Sequence, residues 1–137
     1  MGEITAAFHD RLAGSAALVA LLASYRGAPA IFTAGTAPED ATKPYIVVSG
    51  EVTQDAWDTK TTRGRQLWRD IRCYTAKDGS AVVVESLAEL ARALFHRHRL
   101  IIGGFEVIVA EVGGPIAVDE ATAYGRVVTV RLVMEET

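Results

Sequence analysis

The sequence predicts an α+β fold in which a mostly antiparallel sheet packs against two helices, in the order α-β-β-β-α-β-β. Two segments, 4–25 and 83–95, carry apolar residues at the three- and four-residue spacings of a helix face. The strand-like runs come in adjacent pairs, as hairpins do, and do not alternate singly with helices. A chain of 137 residues is long enough for one core, so we expect a single domain over residues 1–137.

The composition is that of a globular protein without disulfides. Half of the residues are hydrophobic, 23% are charged and 7% are aromatic. The net charge of −3 gives the chain no general attraction for nucleic acid or for an anionic membrane. Cys73 is the single cysteine, which is compatible with a reducing compartment. The N-terminal residues lack the basic region of a signal peptide, so we expect synthesis and folding in the cytoplasm.

The first helix is predicted to be interrupted at Gly14-Ser15, where Ser15 can cap a second helical piece. Arg26 would lie in its last turn and Gly27 would end it. A loop-rich connector follows over 27–44 and contains a short strand at 31–33. Pro44 then leads into a β-branched strand over 45–52.

The polar segment 53–65 lies between two strand signals and predicts a long β-hairpin whose tip projects beyond the core. The strand that follows alternates over 66–74. One face has Leu67, Arg69, Ile71 and Cys73, and the other has Trp68, Asp70, Arg72 and Tyr74. Because both faces mix apolar and charged residues, we expect the sheet to meet other surfaces on both sides.

The second helix is predicted to begin after the turn residues Asp78-Gly79-Ser80 and to reach a basic end at 96–99. Its apolar face is formed by Val83, Leu87, Leu90, Ala91, Leu94 and Phe95. A strand over 100–112 is broken by a tight turn at Gly103-Gly104 and ended by 113–115. The last strand alternates over 124–134.

No catalytic, cofactor-binding or metal-binding set is predicted. The sequence has no nucleophile elbow and no glycine-rich phosphate loop. His96 and His98 are two residues apart, so they would not converge on one metal ion, and a solvated basic helix end explains them. Cys73 fits a small buried residue. A small enzyme or ligand-binding domain stays open as an alternative if a deep pocket forms around Cys73 and a histidine.

Arginine supplies 11 of the 14 cationic residues and concentrates around the hairpin and the end of the second helix. Aromatic residues lie among the hairpin arginines, as in some nucleic-acid binders. Aspartates interleave with them, however, and arginine and tryptophan are also enriched at protein interfaces. A protein–protein interface is therefore favoured over a nucleic-acid groove. The groove remains an alternative, as does an ordinary solvated hairpin.

The ordered set of short motifs resembles the tail-terminator (tail-completion) proteins of long-tailed phages and gene-transfer-agent-like particles. The resemblance covers roughly residues 4–134, and Cys73 departs from it at an ordinary strand position, to which we attach no function. Two runs carry most of it: the connector Ala37-Pro38-Glu39-Asp40-Ala41, which leads into Lys43-Pro44-Tyr45-Ile46-Val47-Val48, and the last strand Tyr124-Gly125-Arg126-Val127-Val128.

The resemblance implies a structural virion protein and no enzyme or cofactor. Such subunits form a ring, expected to be a hexamer, that caps the tail tube, stops its polymerisation and joins it to the head-side connector while DNA passes through. The implied partners are further copies, the tail tube protein and the connector or stopper protein, at the head–tail junction. Another neck component, such as a head-closure protein, is the close alternative. Candidate interface residues are Gln54, Trp57, Asp58, Lys60, Arg63, Arg65, Glu135 and Glu136.

Overall fold

The structure is a computed structural model that describes residues 2–58 and 63–137, with the backbone alone for 51–54. Its helices are α1 (Gly2–Ala13), α2 (Ala16–Val19) and α3 (Val82–Phe95). No helix in these ranges is long and apolar enough to cross a bilayer. The strands are β1 (Ser24–Tyr25), β2 (Ala28–Pro29), β3 (Ile31–Phe32), β4 (Tyr45–Ala56), β5 (Gly64–Ala76), β6 (Phe105–Ala117) and β7 (Ala123–Glu136).

Five strands form the main sheet, in the order β3-β4-β5-β7-β6. Only the short β3–β4 pair is parallel, and the other three pairs are antiparallel. The β5–β7 ladder is unbroken from Gly64 opposite Glu135 to Ala76 opposite Ala123. The predicted α+β fold with a mostly antiparallel sheet is confirmed, and β4 and β5 are the two strands of the predicted hairpin. Its tip, 59–62, lies outside the described residues.

The core lies between one face of this sheet and the helices α1 and α3. Phe8 of α1 stacks on Phe95 of α3 with ring centroids 4.9 Å apart. The face of β5 that carries Leu67, Arg69, Ile71 and Cys73 turns towards these helices, and its three apolar side chains are fully buried. The matching residues of β7 are also buried: Val128, Val130, Leu132 and Met134. We call the opposite side of the sheet the open face, because no α-helix of the described residues packs on it.

The first helical segment is shorter than predicted. The break at Gly14-Ser15 is confirmed, and Ser15 caps α2 by accepting a hydrogen bond from the Leu18 backbone N–H at 3.3 Å. The prediction of helix up to residue 25 is wrong, because the Ala23 N–H donates to the Pro44 carbonyl at 2.9 Å. Arg26 and Gly27, with φ of 49° and 82°, form the two-residue turn of the β1–β2 hairpin.

Helix α3 turns a slightly different face to the core than predicted. Leu87, Ala91 and Phe95 are buried as expected, but Val84 is fully buried whereas Val83 is 40% exposed. The helix ends at Phe95, so the basic residues 96–99 follow it and do not form its last turn. The prediction began the apolar stripe one residue too early, at Val83, because it lies within three consecutive valines, 82–84.

Strand β6 also has different limits from those predicted. The tight turn at Gly103-Gly104 is confirmed, with the Phe105 N–H donating to the Ile102 carbonyl at 3.2 Å. The strand begins after this turn and continues through 113–115, where the register shifts as in a β-bulge. This bulge requires glycine at position 114. Its φ is +96°, and a Cβ there would lie 2.7 Å from the Val127 carbonyl oxygen.

The neighbouring valines of α3 provide a matched test of this packing. Val84→Ala removes two buried methyl groups and should lower the free energy of unfolding by about 2 kcal/mol. Val83→Ala changes an exposed position and should leave stability within about 0.5 kcal/mol of the parent. Urea unfolding followed by circular dichroism measures both. Equal effects, or a larger loss for Val83→Ala, would show that α3 docks through a different face.

Candidate subunit interface

Pairing of β5 with β7 brings the two separate groups of candidate residues to one end of the sheet. Glu135 lies opposite Gly64, and the Glu136 N–H donates to the Arg63 carbonyl at 2.8 Å. Trp57 lies on the other side of β5, directly after β4, and its N–H donates to the Gly64 carbonyl at 3.0 Å. We call this region, formed by residues 55–58, 63–66, 105–108 and 133–136, the hairpin end.

The candidate residues on the hairpin differ in exposure. Trp57 is 43% exposed, which is unusual for so large an apolar side chain, and Arg63 is exposed. Asp58 is exposed as well, and its Oδ1 accepts a hydrogen bond from the Gly64 N–H at 3.2 Å. Arg65 is half-buried and places its guanidinium 5.0 Å from the centre of the Phe105 ring. Of these residues, Trp57 and Arg63 are the ones most available to a partner.

Two further candidates lie on β7 and two have no described side chain. Glu136 is exposed and Glu135 is half-buried. Gln54 pairs with Leu67 through the backbone register, so it lies further from the tip. Lys60 lies outside the described residues. The described hairpin end therefore mixes carboxylates with arginines around an exposed tryptophan, a composition typical of protein interfaces.

Gly64 allows the strands to approach closely at the hairpin end. A Cβ at this position would lie 2.6 Å from the carbonyl oxygens of both Met134 and Trp57. Both obstacles are backbone atoms held in the sheet, so neither can move aside easily. Glycine is thus required where β4, β5 and β7 converge.

The open face carries polar side chains that pair with one another across strands. Arg131 donates from Nε to the Gln66 Oε1 at 2.8 Å, and its other side reaches Glu111 at 3.3 Å. The Thr129 hydroxyl donates to the Asp70 carboxylate at 2.7 Å. These pairs balance the charges of the face and agree with the prediction of a mixed surface there.

On the helix side, by contrast, the predicted face includes a buried arginine. Arg69 is only 2% exposed, and one guanidinium nitrogen donates to the Thr5 hydroxyl at 2.9 Å. The guanidinium also lies 5.5 Å from the centre of the Phe8 ring. Arg69 therefore ties α1 to the sheet, and it does not contribute to a basic surface.

Residues after α3 cover the middle of the β6 edge, which the sequence did not reveal. The Arg97 N–H donates to the Ala110 carbonyl at 2.8 Å, and the Val112 N–H donates to Nδ1 of His96 at 3.2 Å. Arg92 donates to the Gly114 carbonyl at 3.0 Å. His96 is therefore a structural acceptor, and the prediction that 96–99 form a solvated helix end holds only for the exposed Arg97 and Arg99 side chains.

The opposite end of the sheet is aromatic. Tyr25, Phe32, Tyr45 and Tyr74 form a chain with centroids 5.2 to 5.8 Å apart. Partial burial, with smaller contributions from Glu120 and Tyr74, raises the pKa of Tyr45. A shallow cleft of about 210 Å³ lies beside Tyr45 and Tyr74. At this end, Phe32 and Ala37 of the connector pack against Tyr74 of the sheet.

Within the described residues, none of the clefts brings Cys73 and a histidine together, as the enzyme alternative requires. Cys73 is fully buried, and burial raises its thiol pKa to about 12. Three shallow clefts of about 210 to 290 Å³ are described, and neither Cys73 nor a histidine lines any of them. Within 2–58 and 63–137, no three His, Cys, Asp or Glu residues are grouped as metal ligands.

Comparison with known families identifies the chain. The family model described as "Tail completion protein gp17" matches residues 6–135. The chain belongs to the tail completion protein family. The resemblance found in the sequence is thereby confirmed, and this is a family of structural phage tail proteins. A search of curated protein sequences finds no match.

Solved structures share the fold of this tail completion protein. A chain from a structure titled "Virion of native gene transfer agent (GTA) particle" superposes with a TM-score of 0.79 at 20% sequence identity. The match covers 98% of this chain and 96% of the other. A second solved chain superposes with a TM-score of 0.58 at 16% identity, covering 99% and 94% of the two chains.

Gly64 gives a direct test of the hairpin end. Gly64→Ala should lower the free energy of unfolding by about 2 kcal/mol or more, because the added methyl group meets two carbonyl oxygens. Gly50→Ala, on the partner strand of the same hairpin, adds a methyl group to open space and serves as the control. Denaturant unfolding compares the two variants. A Gly64→Ala protein as stable as Gly50→Ala would contradict the close convergence of the strands.

Cys73 should be chemically inert in the folded protein. Since its pKa is raised to about 12, the thiol stays protonated even at pH 9, where an exposed cysteine is largely ionised. Reaction with a thiol reagent such as iodoacetamide at pH 9 should therefore be slow in buffer and fast in urea. Rapid labelling of the folded protein would instead indicate an accessible, reactive thiol.

Proposed function

We propose that this tail completion protein is a tail terminator that assembles as a closed ring of six copies on the tail tube. The ring stops tube polymerisation and presents its other side to the head-side connector or stopper protein. The observation that carries the proposal is the hairpin end, where Trp57 and Arg63 are exposed beside Glu136. Such a surface suits contact with other subunits better than it suits chemistry on a small substrate.

In a ring, each copy contacts its two neighbours through different surfaces, and rotation closes the assembly. Residues exposed on one copy, such as Trp57, then become buried. This accounts for an apolar fraction of one half in so small a domain.

DNA would pass through the ring without specific binding. Each copy has a net charge of −3, so six copies carry about −18. Arg131 and Arg126 are paired with carboxylates, at 3.3 Å to Glu111 and 3.0 Å to Asp119. A conduit of net negative charge lets a duplex slide, because fixed phosphate contacts would hold it.

The proposed place of the protein is the head–tail junction of a virion or a phage-like particle, after synthesis in the bacterial cytoplasm. Its family and the fold it shares with a chain of a gene transfer agent virion support this location. Its role there is structural, without catalysis or a cofactor.

Substitution at the hairpin end tests the proposed function. Trp57→Ala with Arg63→Ala removes an exposed aromatic and an exposed cation, so the subunit should fold normally but fail to hold the tube end. Particles assembled with this variant should have tails of irregular or unlimited length, as measured on electron micrographs.

The matched control is Val82→Ala with Lys77→Ala, which removes an exposed apolar side chain and an exposed cation far from the hairpin end. This variant should give tails of normal length joined to heads. Normal tails from the Trp57 and Arg63 variant would overturn the role of the hairpin end.

A further inference from the structure

Near the hairpin end, one edge of the sheet presents an aspartate, and the other edge presents two arginines and a glutamate. The register places Asp55, Gln66, Val133 and Val109 in one row across β4, β5, β7 and β6. Asp55 stands at the β4 side of this row. Val109, at the other side, lies in a groove lined by the exposed guanidinium side chains of Arg97 and Arg99. Asp55 and the groove with its two arginines therefore lie at the same level of the sheet, on opposite edges.

The groove at the β6 edge is suited to an apolar side chain that has a carboxylate next to it. It measures about 290 Å³ and combines the two arginines with Ile108, Val109, Ala110 and Glu111. The Glu111 carboxylate already pairs with Arg131 at 3.3 Å, so the two arginines dominate the charge of the groove. Ile108 is 37% exposed. Next to the groove, the outward backbone groups of Ala110 and Val112 are already bonded to residues after α3. A partner would thus contact the groove through side chains, without adding a strand there.

The β4 edge offers such side chains. Strand β3 pairs only with Ile46 and Val47, so within the described residues no strand covers β4 on its outer side beyond that point. Asp55 and Trp57 are two residues apart, which places both on the same side of the chain, and both are exposed. A tryptophan beside a carboxylate matches a groove in which two arginines and one glutamate lie beside isoleucine and valine.

We propose that the β4 edge of one copy, through Asp55 and Trp57, docks in the groove at the β6 edge of the next copy, formed by Arg97, Arg99, Ile108 and Val109. This contact rests on the proposed ring and specifies how neighbours meet in it. Asp55 and Val109 lie in one row across the sheet, at the same height along the strands. The next copy can therefore be generated by rotation about an axis parallel to the strands, without translation along that axis. A contact of this kind closes into a ring and does not grow into a filament.

The end of the sheet beside β3 does not offer an equivalent charged contact to a neighbouring copy. Arg26 lies there 3.9 Å from Asp40, so this cation and this carboxylate already pair within one copy. The pairing therefore depends on the hairpin end.

Cross-linking in purified particles tests this contact. Asp55→Cys combined with Arg99→Cys should give, with a short bismaleimide, a ladder of covalent oligomers on a denaturing gel. Lys77→Cys combined with Arg99→Cys is the matched control and should give no ladder. The native Cys73 is buried and should not react. A dimer formed by Asp55→Cys alone would overturn the proposal, because it would show the same edge meeting itself.

Charge exchange gives a second readout that does not depend on cysteine chemistry. Arg99→Asp and Asp55→Arg should each weaken subunit association by at least about tenfold, and the combination should restore it. We substitute Arg99 and keep Arg97, because Arg97 has a φ of 56° and its backbone N–H donates to the Ala110 carbonyl of β6. A substitution at Arg97 could disturb this backbone contact as well as the charge. No rescue by the combination, with both single variants folded by circular dichroism, would overturn the proposed contact.

Treatment of parent particles with glutaraldehyde separates failure of the contact from failure of the ring. Oligomers of the parent chain without the Asp55–Arg99 ladder would reject the edge pairing and leave the ring in place. Parent particles in which the chain forms no oligomer would reject the ring itself.

Discussion

The unbroken pairing of β5 with β7 is the interaction on which the rest of the structure depends. It joins the middle of the chain to its last residues and fixes which side chains of both strands face the helices. Leu67 and Leu132, directly opposite each other, are buried in the core, while Gln66 and Arg131 meet on the open face. A one-residue slip would exchange these two sets, so the register is strongly specified.

The same ladder creates the proposed assembly surface. It places the hairpin beside Glu135 and Glu136, and it sets the level at which Asp55 and the Arg97–Arg99 groove stand on opposite edges. The helices cover one face and the residues after α3 cover the middle of the β6 edge. In the proposed ring, neighbouring copies would meet through the hairpin end and through the parts of the edges that remain accessible.

Features with a strong local signal could be predicted from the sequence. The alternation of β5 and the cap at Ser15 belong to this group, because short-range geometry determines them. Where contacts distant in sequence decide, prediction was wrong: the Ala23–Pro44 hydrogen bond ends the first helical segment early, and docking of α3 selects Val84 over Val83. The groove at the β6 edge was missed since Arg97 and Arg99 meet Ile108 only after the Gly103-Gly104 turn reverses the chain.

Electron cryo-microscopy of the tail end of assembled particles tests the proposed ring most directly. We expect a single closed ring of this chain between the tail tube and the connector, with the β4 edge of each copy against the β6 edge of the next. Density for this chain repeated along the tube, or located on the connector side without contact to the tube end, would contradict a tail terminator.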